Sequence, residues 1–200
     1  EDEQVLGAPF YIMERLEGVI LRASNAFKNK PDEQMLHAMS LALVDNLVQL
    51  HALDIESTGL VQLGKPEGYV QRQVEGWIKR YYAAETDTID SMNAIAQWLP
   101  KHIPDSTDAS FLHNDYKIDN VVFDVNDLTR IVGVLDWEMS TVGHPLMDLG
   151  ASLAYWSEPE DDEHIRFFNL TWLPGCLSRK QVVERYAQKS GRDVSNILFY

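Results

Sequence analysis

Between Phe111 and Asp148 the chain gathers side chains whose types and spacing suit one kind of chemistry. The stretch reads Phe-Leu-His-Asn-Asp-Tyr-Lys-Ile-Asp-Asn-Val-Val-Phe-Asp, then Arg-Ile-Val-Gly-Val-Leu-Asp-Trp-Glu, then Gly-His-Pro-Leu-Met-Asp-Leu. Its polar skeleton is H-x-D-x-x-x-x-N, an apolar run ending in Asp, and a G-x-P-x-x-D turn. Phosphoryl transfer needs a base for an attacking hydroxyl and metal ions that offset phosphate charge. Asp and Asn oxygens are the hard ligands Mg²⁺ takes. Elements must then bring these side chains together. Phe111-Leu112 delivers His113 and Asp115 to a loop, Val121 to Phe123 leads away after Asn120, and Ile131 to Leu135 brings Asp136 back. Antiparallel pairing predicts Asp115, Asn120 and Asp136 at one edge of a small sheet.

H-x-D-x-x-x-x-N alone is a weak signal; the ordered set with Asp136, Gly143, Pro145 and Asp148 is a strong one. The bland alternative makes Asp115, Asp119, Asp136 and Asp148 loop, turn or cap residues on an acidic surface. A protein-kinase signature has the same parts: a catalytic-loop Asp, an Asn five residues on, and a later metal-binding Asp. With Asp136-Trp137-Glu138 at the D-F-G position and the later Gly-x-Pro-x-x-Asp, the stretch resembles the aminoglycoside phosphotransferase and choline kinase superfamily. The resemblance implies Asp115 as catalytic base, Asn120 and Asp136 as Mg²⁺ ligands, and His113 as a brace for the loop. It implies that Lys117 touches the transferred phosphate and that Asp148 orders the loop from behind. The sequence departs from the family at Asn114, where Gly is usual, and at His144, where the usual turn is Gly-Asp-Pro.

Upstream, Glu3 to Leu6 and Pro9 to Leu16 read as short strands around Gly7-Ala8, the second with both faces mostly buried. By the resemblance, the run Met13-Glu14-Arg15-Leu16 is the hinge between two lobes. Adenine would meet the carbonyl of Glu14 and the amide of Leu16, with Met13 lining the pocket; read alone, the run is an ordinary strand and turn. No G-x-G-x-x-G and no strand Lys precede it, and Lys28 and Lys30 read as loop residues. The expected division is residues 1–18 as last strands of a small lobe plus hinge, and 19–200 as a large lobe. The sequence is expected to be a fragment of a longer protein, and inactive in isolation.

Composition is that of an ordinary soluble chain: 200 residues, 45% hydrophobic and 24% charged, enough for a sizeable core. The net charge of −14 argues against a nucleic-acid or anionic-membrane surface, because basic patches supply that affinity. The one cysteine, Cys176, reads as a packed side chain and fits a reducing, cytoplasmic setting. No run approaches the about 18 apolar residues of a membrane span.

Leu36, Met39, Leu43, Leu47 and Leu50 predict a helix over 32–53, capped by Asp32 and with His51 as a packed core histidine. A loop follows over 57–68. Tyr69 to Glu85 reads as a helix whose stripe Val70, Val74, Trp77, Ile78 and Tyr81 faces the core. Arg72 and Gln73 before Trp77 resemble a branch of the superfamily often joined to acyl-CoA dehydrogenase domains. A helix from Asp90 to Trp98, another over Leu149 to Trp156, a solvated acidic loop over Glu158 to Glu163, and a Ser178/Gln181 capping box opening a helix to Ser190 complete the pattern. Val194 to Tyr200 reads as the start of one more helix. The acidic loop, by the resemblance, borders an acceptor site.

The expected fold is α+β and protein-kinase-like: a mostly helical large lobe, a small catalytic hairpin region and a remnant of the N-terminal lobe. The implied activity moves the γ-phosphoryl group of ATP (or GTP) to a hydroxyl of a small molecule with Mg²⁺. A non-catalytic nucleotide- or ligand-binding module of the same fold is the alternative from another class. A metal-dependent hydrolase is a weaker third reading, since such sites usually include His ligands and only His113 lies close.

Overall fold

The computed structural model describes residues 7–8, 10, 12–22, 31–105, 107–167 and 169–200. The expected strand over Glu3 to Leu6 and the expected loop lysines Lys28 and Lys30 lie outside the described residues.

Helix α1 (Glu33–His51) is the spine. Asp32 caps it, its Oδ1 accepting the Met35 N–H at 2.8 Å, and Glu33 complements the helix dipole in the first turn. Leu36, Met39, Leu43, Val44 and Leu47 are each no more than 3% exposed. At three- and four-residue steps they form one stripe, each side chain contributing about 1.5–3 kcal/mol on burial. Helix α6 (Arg179–Ser190) packs against that stripe through Val182 and Tyr186. Ser178 and Gln181 form the expected capping box. Across this contact Arg185 holds Asp45 with paired bonds of 2.8 and 2.7 Å.

Helices α2 (Tyr69–Ala84) and α3 (Asp90–Trp98) form a separate layer. Here the sequence reading needs correction. Val70 and Val74 are buried, but Trp77 is 57% exposed. The stripe turns toward α3 instead of the core, and Trp77, Ile78, Tyr81, Met92, Ile95 and Leu99 line an open apolar groove of about 410 Å³ between the two helices. The periodicity was real; what it faces is a neighbouring short helix that cannot cover it.

Among the described residues the β-structure is two antiparallel pairs, where the sequence suggested one sheet. Strand β1 (Ser110–Leu112) pairs with β4 (Thr141–Gly143), and β2 (Val121–Phe123) with β3 (Ile131–Val134). The turn at Trp137–Met139 carries the chain from β3 back beside β1, so the run that brings Asp136 home does not pair with the strand that delivers Asp115. Val19 bridges to Phe123.

The strand expected over Pro9 to Leu16 is not present among the described residues. Residues 12–17 have no regular structure, and Ile12 is 89% exposed. Just after it Val19 finds a ladder partner, exchanging bonds of 2.8 and 2.9 Å with Phe123; among the described residues 12–17 pair with no strand.

Helix α4 (Pro145–Tyr155) runs back into the core behind β1. The acidic segment after it is pinned rather than simply solvated: Arg179 reaches Glu158 at 3.3 Å and Asp161 at 2.5 Å, and a short helix α5 (Glu163–Phe167) follows. The expected last helix is a single 3₁₀ turn at Ile197–Phe199. Trp156 donates to the Leu177 carbonyl at 2.7 Å, and Cys176 is half-buried, with burial pushing its thiol up. Among the described residues no helix is long and apolar enough to cross a membrane.

Candidate active site

The loop after β1 is held from behind by Asp148, which is fully buried on the first turn of α4. Its carboxylate accepts the His113 N–H at 2.7 Å and the Asn114 N–H at 2.8 Å. The same carboxylate meets His51 Nε2 at 3.1 Å, and His51 Nδ1 meets the Tyr186 hydroxyl at 2.8 Å. A buried charge needs such donors, since an unpaired one costs several kcal/mol. The result is a wire of bonds from α6 through α1 and α4 to the loop. Tyr116 adds a second tie, donating to the Leu43 carbonyl of α1 at 2.9 Å; its full burial pushes the phenol's pKa up.

His113 is buried, and its bonds fix its tautomer. Nε2 meets the Leu135 carbonyl at 2.8 Å and must donate, while Nδ1 accepts the Asp115 N–H at 3.2 Å. The neutral ring thus clamps the end of β3 to the loop. Trp137 packs on it with ring centroids 4.7 Å apart and stacks on Phe111 at 5.5 Å.

Both departures from the family pattern acquire a physical account. Asn114 has φ +64°, a left-handed conformation that Gly adopts freely and Asn tolerates best among other residues. Its side chain also donates to the Met139 carbonyl at 2.9 Å. His144 is the N-cap of α4, its Nδ1 accepting the Leu146 N–H at 3.3 Å, the task an Asp would perform. Burial lowers the pKa of the ring, with the nearby Arg192 charge adding to the effect and Asp108 opposing it, which keeps it neutral for that role. Gly143 just before it is demanded by packing: a β-carbon would run into the Tyr69 ring.

Asp115, Lys117 and Asn120 converge. Lys117 Nζ lies 2.9 Å from both carboxylate oxygens of Asp115, and Asn120 Nδ2 lies 2.9 Å from Asp115 Oδ2 and from its backbone carbonyl. Partial burial works against the Lys117 charge. The bond to Asp115, with the charges of Asp115 and Asp119, outweighs it and holds the ammonium above the usual lysine range. Lys117 also sits over the Tyr155 ring at 4.7 Å.

Asn120 and Asp136 face a common cleft of about 1170 Å³ together with Met13, Glu14, Leu16, Asp119 and Glu138. Arg15 and Arg22 line it too. Its floor is the β2–β3 hairpin, where Val122 and Val134 present apolar side chains. Leu16 lies against that floor, the end of its side chain close over Gly133. Asp136 has φ +68°; a non-glycine residue held so is uncommon and marks sites where backbone strain aims a side chain. Asp115, Lys117 and Asn120 are therefore bonded to one another, and Asn120 shares one cleft with Asp136 and the run Met13 to Leu16. The residues of that cleft that sequence reasoning missed are Asp119, Arg15, Arg22 and Glu138. Asp119, Arg15 and Glu138 each carried a positional signal, beside Asn120, inside the Met13 to Leu16 run and two residues after Asp136, and Arg22 carried none.

The donor set fits a magnesium ion bound with its nucleotide. Among the described residues no three His, Cys, Asp or Glu side chains approach closely enough to cage a metal unaided. Asn120 commits its Nδ2 to Asp115, leaving its Oδ1 as the end available to a cation. One amide oxygen and one carboxylate, completed by phosphate oxygens and water, is the set Mg²⁺ prefers over an all-protein cage.

A helical layer set against small antiparallel pairs, with this loop and cleft between, defines a protein-kinase-like α+β fold of the aminoglycoside phosphotransferase kind. Comparison with known proteins agrees: residues 1–180 match the sequence model of the phosphotransferase enzyme family, and the chain belongs to that family. It is 42% identical over 191 residues to the rat acyl-CoA dehydrogenase family member 11, covering 94% of this chain and 24% of the relative. The human protein of the same name is 35% identical over 191 residues, covering 95% and 24%. The chain thus spans about a quarter of the length of these curated relatives. A solved Ralstonia eutropha structure, named provisionally as an aminoglycoside phosphotransferase, is 33% identical with a TM-score of 0.85, over 100% of this chain and 60% of that one. An aminoglycoside-3′-phosphotransferase of type VIII shares the fold at a TM-score of 0.60 and 20% identity, over 85% and 60%.

Proposed function

We propose that this chain is part of an ATP-dependent small-molecule kinase whose acceptor is a hydroxyl group, residues 1–18 being the end of the small lobe with the hinge and residues 19–200 the large lobe. The observation that carries the reading is the bonding of Asp115 to Asn120 at the cleft that also holds Asp136 and the Met13 to Leu16 run. In this reading adenine lies against Met13, Glu14 and Leu16 on the apolar hairpin floor. Asn120 and Asp136 would hold Mg²⁺, which would supply positive charge to offset that of the phosphates. Asp115 orients the acceptor hydroxyl and takes its proton. Lys117, now paired with Asp115, moves toward the transferred phosphoryl group when that negative charge arrives. His113 stays neutral and keeps the loop in place. Positioning and charge complementarity supply most of the rate.

The expected tests use the full-length protein. Asp115→Ala abolishes ADP release with any acceptor, a loss of at least about 10²–10⁴-fold for a general base, yet leaves Mg-nucleotide binding largely intact. Asp136→Ala weakens Mg²⁺-dependent nucleotide binding in calorimetry. Turnover unchanged in the first variant removes Asp115 from its role; affinity unchanged in the second removes Asp136 from the metal site. The acceptor is identified by assaying ADP release over a panel of aminoglycoside, macrolide, choline-like, sugar and hydroxyacyl alcohols.

A further inference from the structure

Asp119 lines the cleft and has no part in the proposed reaction. It sits in the 3₁₀ turn Ile118–Asn120, directly before the amide proposed for the metal. Its Oδ1 is shielded from solvent and has no hydrogen-bond partner. The other aspartates of the loop differ: Asp115 is bonded to Lys117 and Asn120, and Asp148 to backbone N–H groups and His51. A carboxylate oxygen kept from water without a donor costs about 1–3 kcal/mol or more. A site that retains one beside a cleft is built to receive a donor. Carboxylate torsions are broad and two-fold, so either oxygen can turn to the opening.

The ligand's chemistry narrows the donor. Phosphate oxygens only accept, and their charge opposes that of Asp119. A cage of carboxylates around a second metal is not what these residues form, since no three acidic or histidine side chains cluster among the described residues. The base's own donor is matched by backbone in the hinge reading. What a nucleoside triphosphate then offers, between base and phosphates, is the pair of sugar hydroxyls. We infer that Asp119 binds the ribose of the nucleotide through a charge-assisted hydrogen bond from a 2′- or 3′-hydroxyl, making the cleft selective for ribonucleotides. The inference rests on the nucleotide reading above and adds its sugar specificity.

Calorimetry on the full-length protein with Mg-ATP, Mg-2′-deoxy-ATP and Mg-3′-deoxy-ATP tests it. In the unaltered protein at least one deoxy analogue binds about tenfold or more weakly than ATP, the loss expected for a hydrogen bond to a charged group. In Asp119→Asn, which keeps the shape, ATP weakens toward the deoxy analogue and the ratio falls to about twofold, with the circular dichroism spectrum unchanged. Equal binding of all three nucleotides by the unaltered protein overturns the inference and leaves the kinase reading standing; that arm needs no variant to fold. A preserved ratio in Asp119→Asn, or an equal loss for all three nucleotides, assigns the discrimination elsewhere and also overturns it. No binding of any nucleotide overturns both readings together.

Discussion

Asn114 shows how much one backbone torsion decides. At φ +64° the residue turns two successive N–H groups, its own and that of His113, onto the two oxygens of Asp148. An L-residue with a β-carbon pays about 1–2 kcal/mol to sit there, and a β-branched one more. Asn114→Gly is therefore expected to hold stability within about 1 kcal/mol, losing the side-chain bonds to the Met139 carbonyl and from the Tyr69 hydroxyl but relaxing the torsion. Asn114→Val is expected to lose about 2–3 kcal/mol. Urea unfolding of both variants checks the order; equal losses would mean the side chain, not the torsion, matters. That Asp115 and Asn120 meet, and that Asn120 shares a cleft with Asp136, was legible because such residue types at that spacing are so restricted. Asp119 was passed over as one more surface aspartate, since nothing in a sequence distinguishes a solvated carboxylate from one left without a donor in a cleft.

Among the elements, α1 has a double role. One stripe builds the core with α6, and its last residue, His51, reaches across to Asp148 while Tyr186 of α6 holds the ring's other nitrogen. The loop's shape is thus coupled to the packing of two helices distant in sequence. Tyr186→Phe keeps the ring in the core but leaves His51 Nδ1 unpaired; a loss of about 1–2 kcal/mol in denaturant unfolding is expected, with little change in slope. A null result would show the wire stops at His51. Helices with strong caps and long stripes, α1 and α6, were legible with their boundaries nearly correct. The strand pairing was not: strands of three or four residues carry too little alternation to set register, and partner choice was made by the turn at Trp137–Met139. The α2 stripe misled because periodicity gives a face, not what covers it.

For the whole molecule acid relieves the self-repulsion of a net charge of −14, but three groups whose folded pKa values are lowered make it the sensitive side. His144 has its pKa lowered below the ordinary 6.5, chiefly by burial. The unfolded chain therefore binds the proton first, and the stability this group contributes is full above pH 6.5 and lost as pH falls through the folded value. Protonation also costs α4 its cap, because a charged ring cannot accept from Leu146. Below that, Asp161 is held under its usual 3.8 by its bond to Arg179. Asp45, which burial would raise, is held under it by Arg185 and Lys189. Both contribute stability above pH 3.8 that disappears on further acidification. Thermal melts are expected to fall in two stages, one beginning just under pH 6.5 and one near pH 4. His144→Asp restores the usual cap residue and should remove the first stage; its persistence would assign it to another histidine.

One ring offers a practical return. Trp137, beside Asp136, is the tryptophan that lines the cleft, 38% exposed and stacked on Phe111. Indole emission shifts in colour and intensity when water next to the ring is exchanged for other matter. The protein therefore carries its own optical gauge of occupancy, readable without any attached dye. Titrating Mg-ATP into the full-length protein should change that emission, and Trp137→Phe, with Trp77, Trp98, Trp156 and Trp172 still glowing, should make the titration dark.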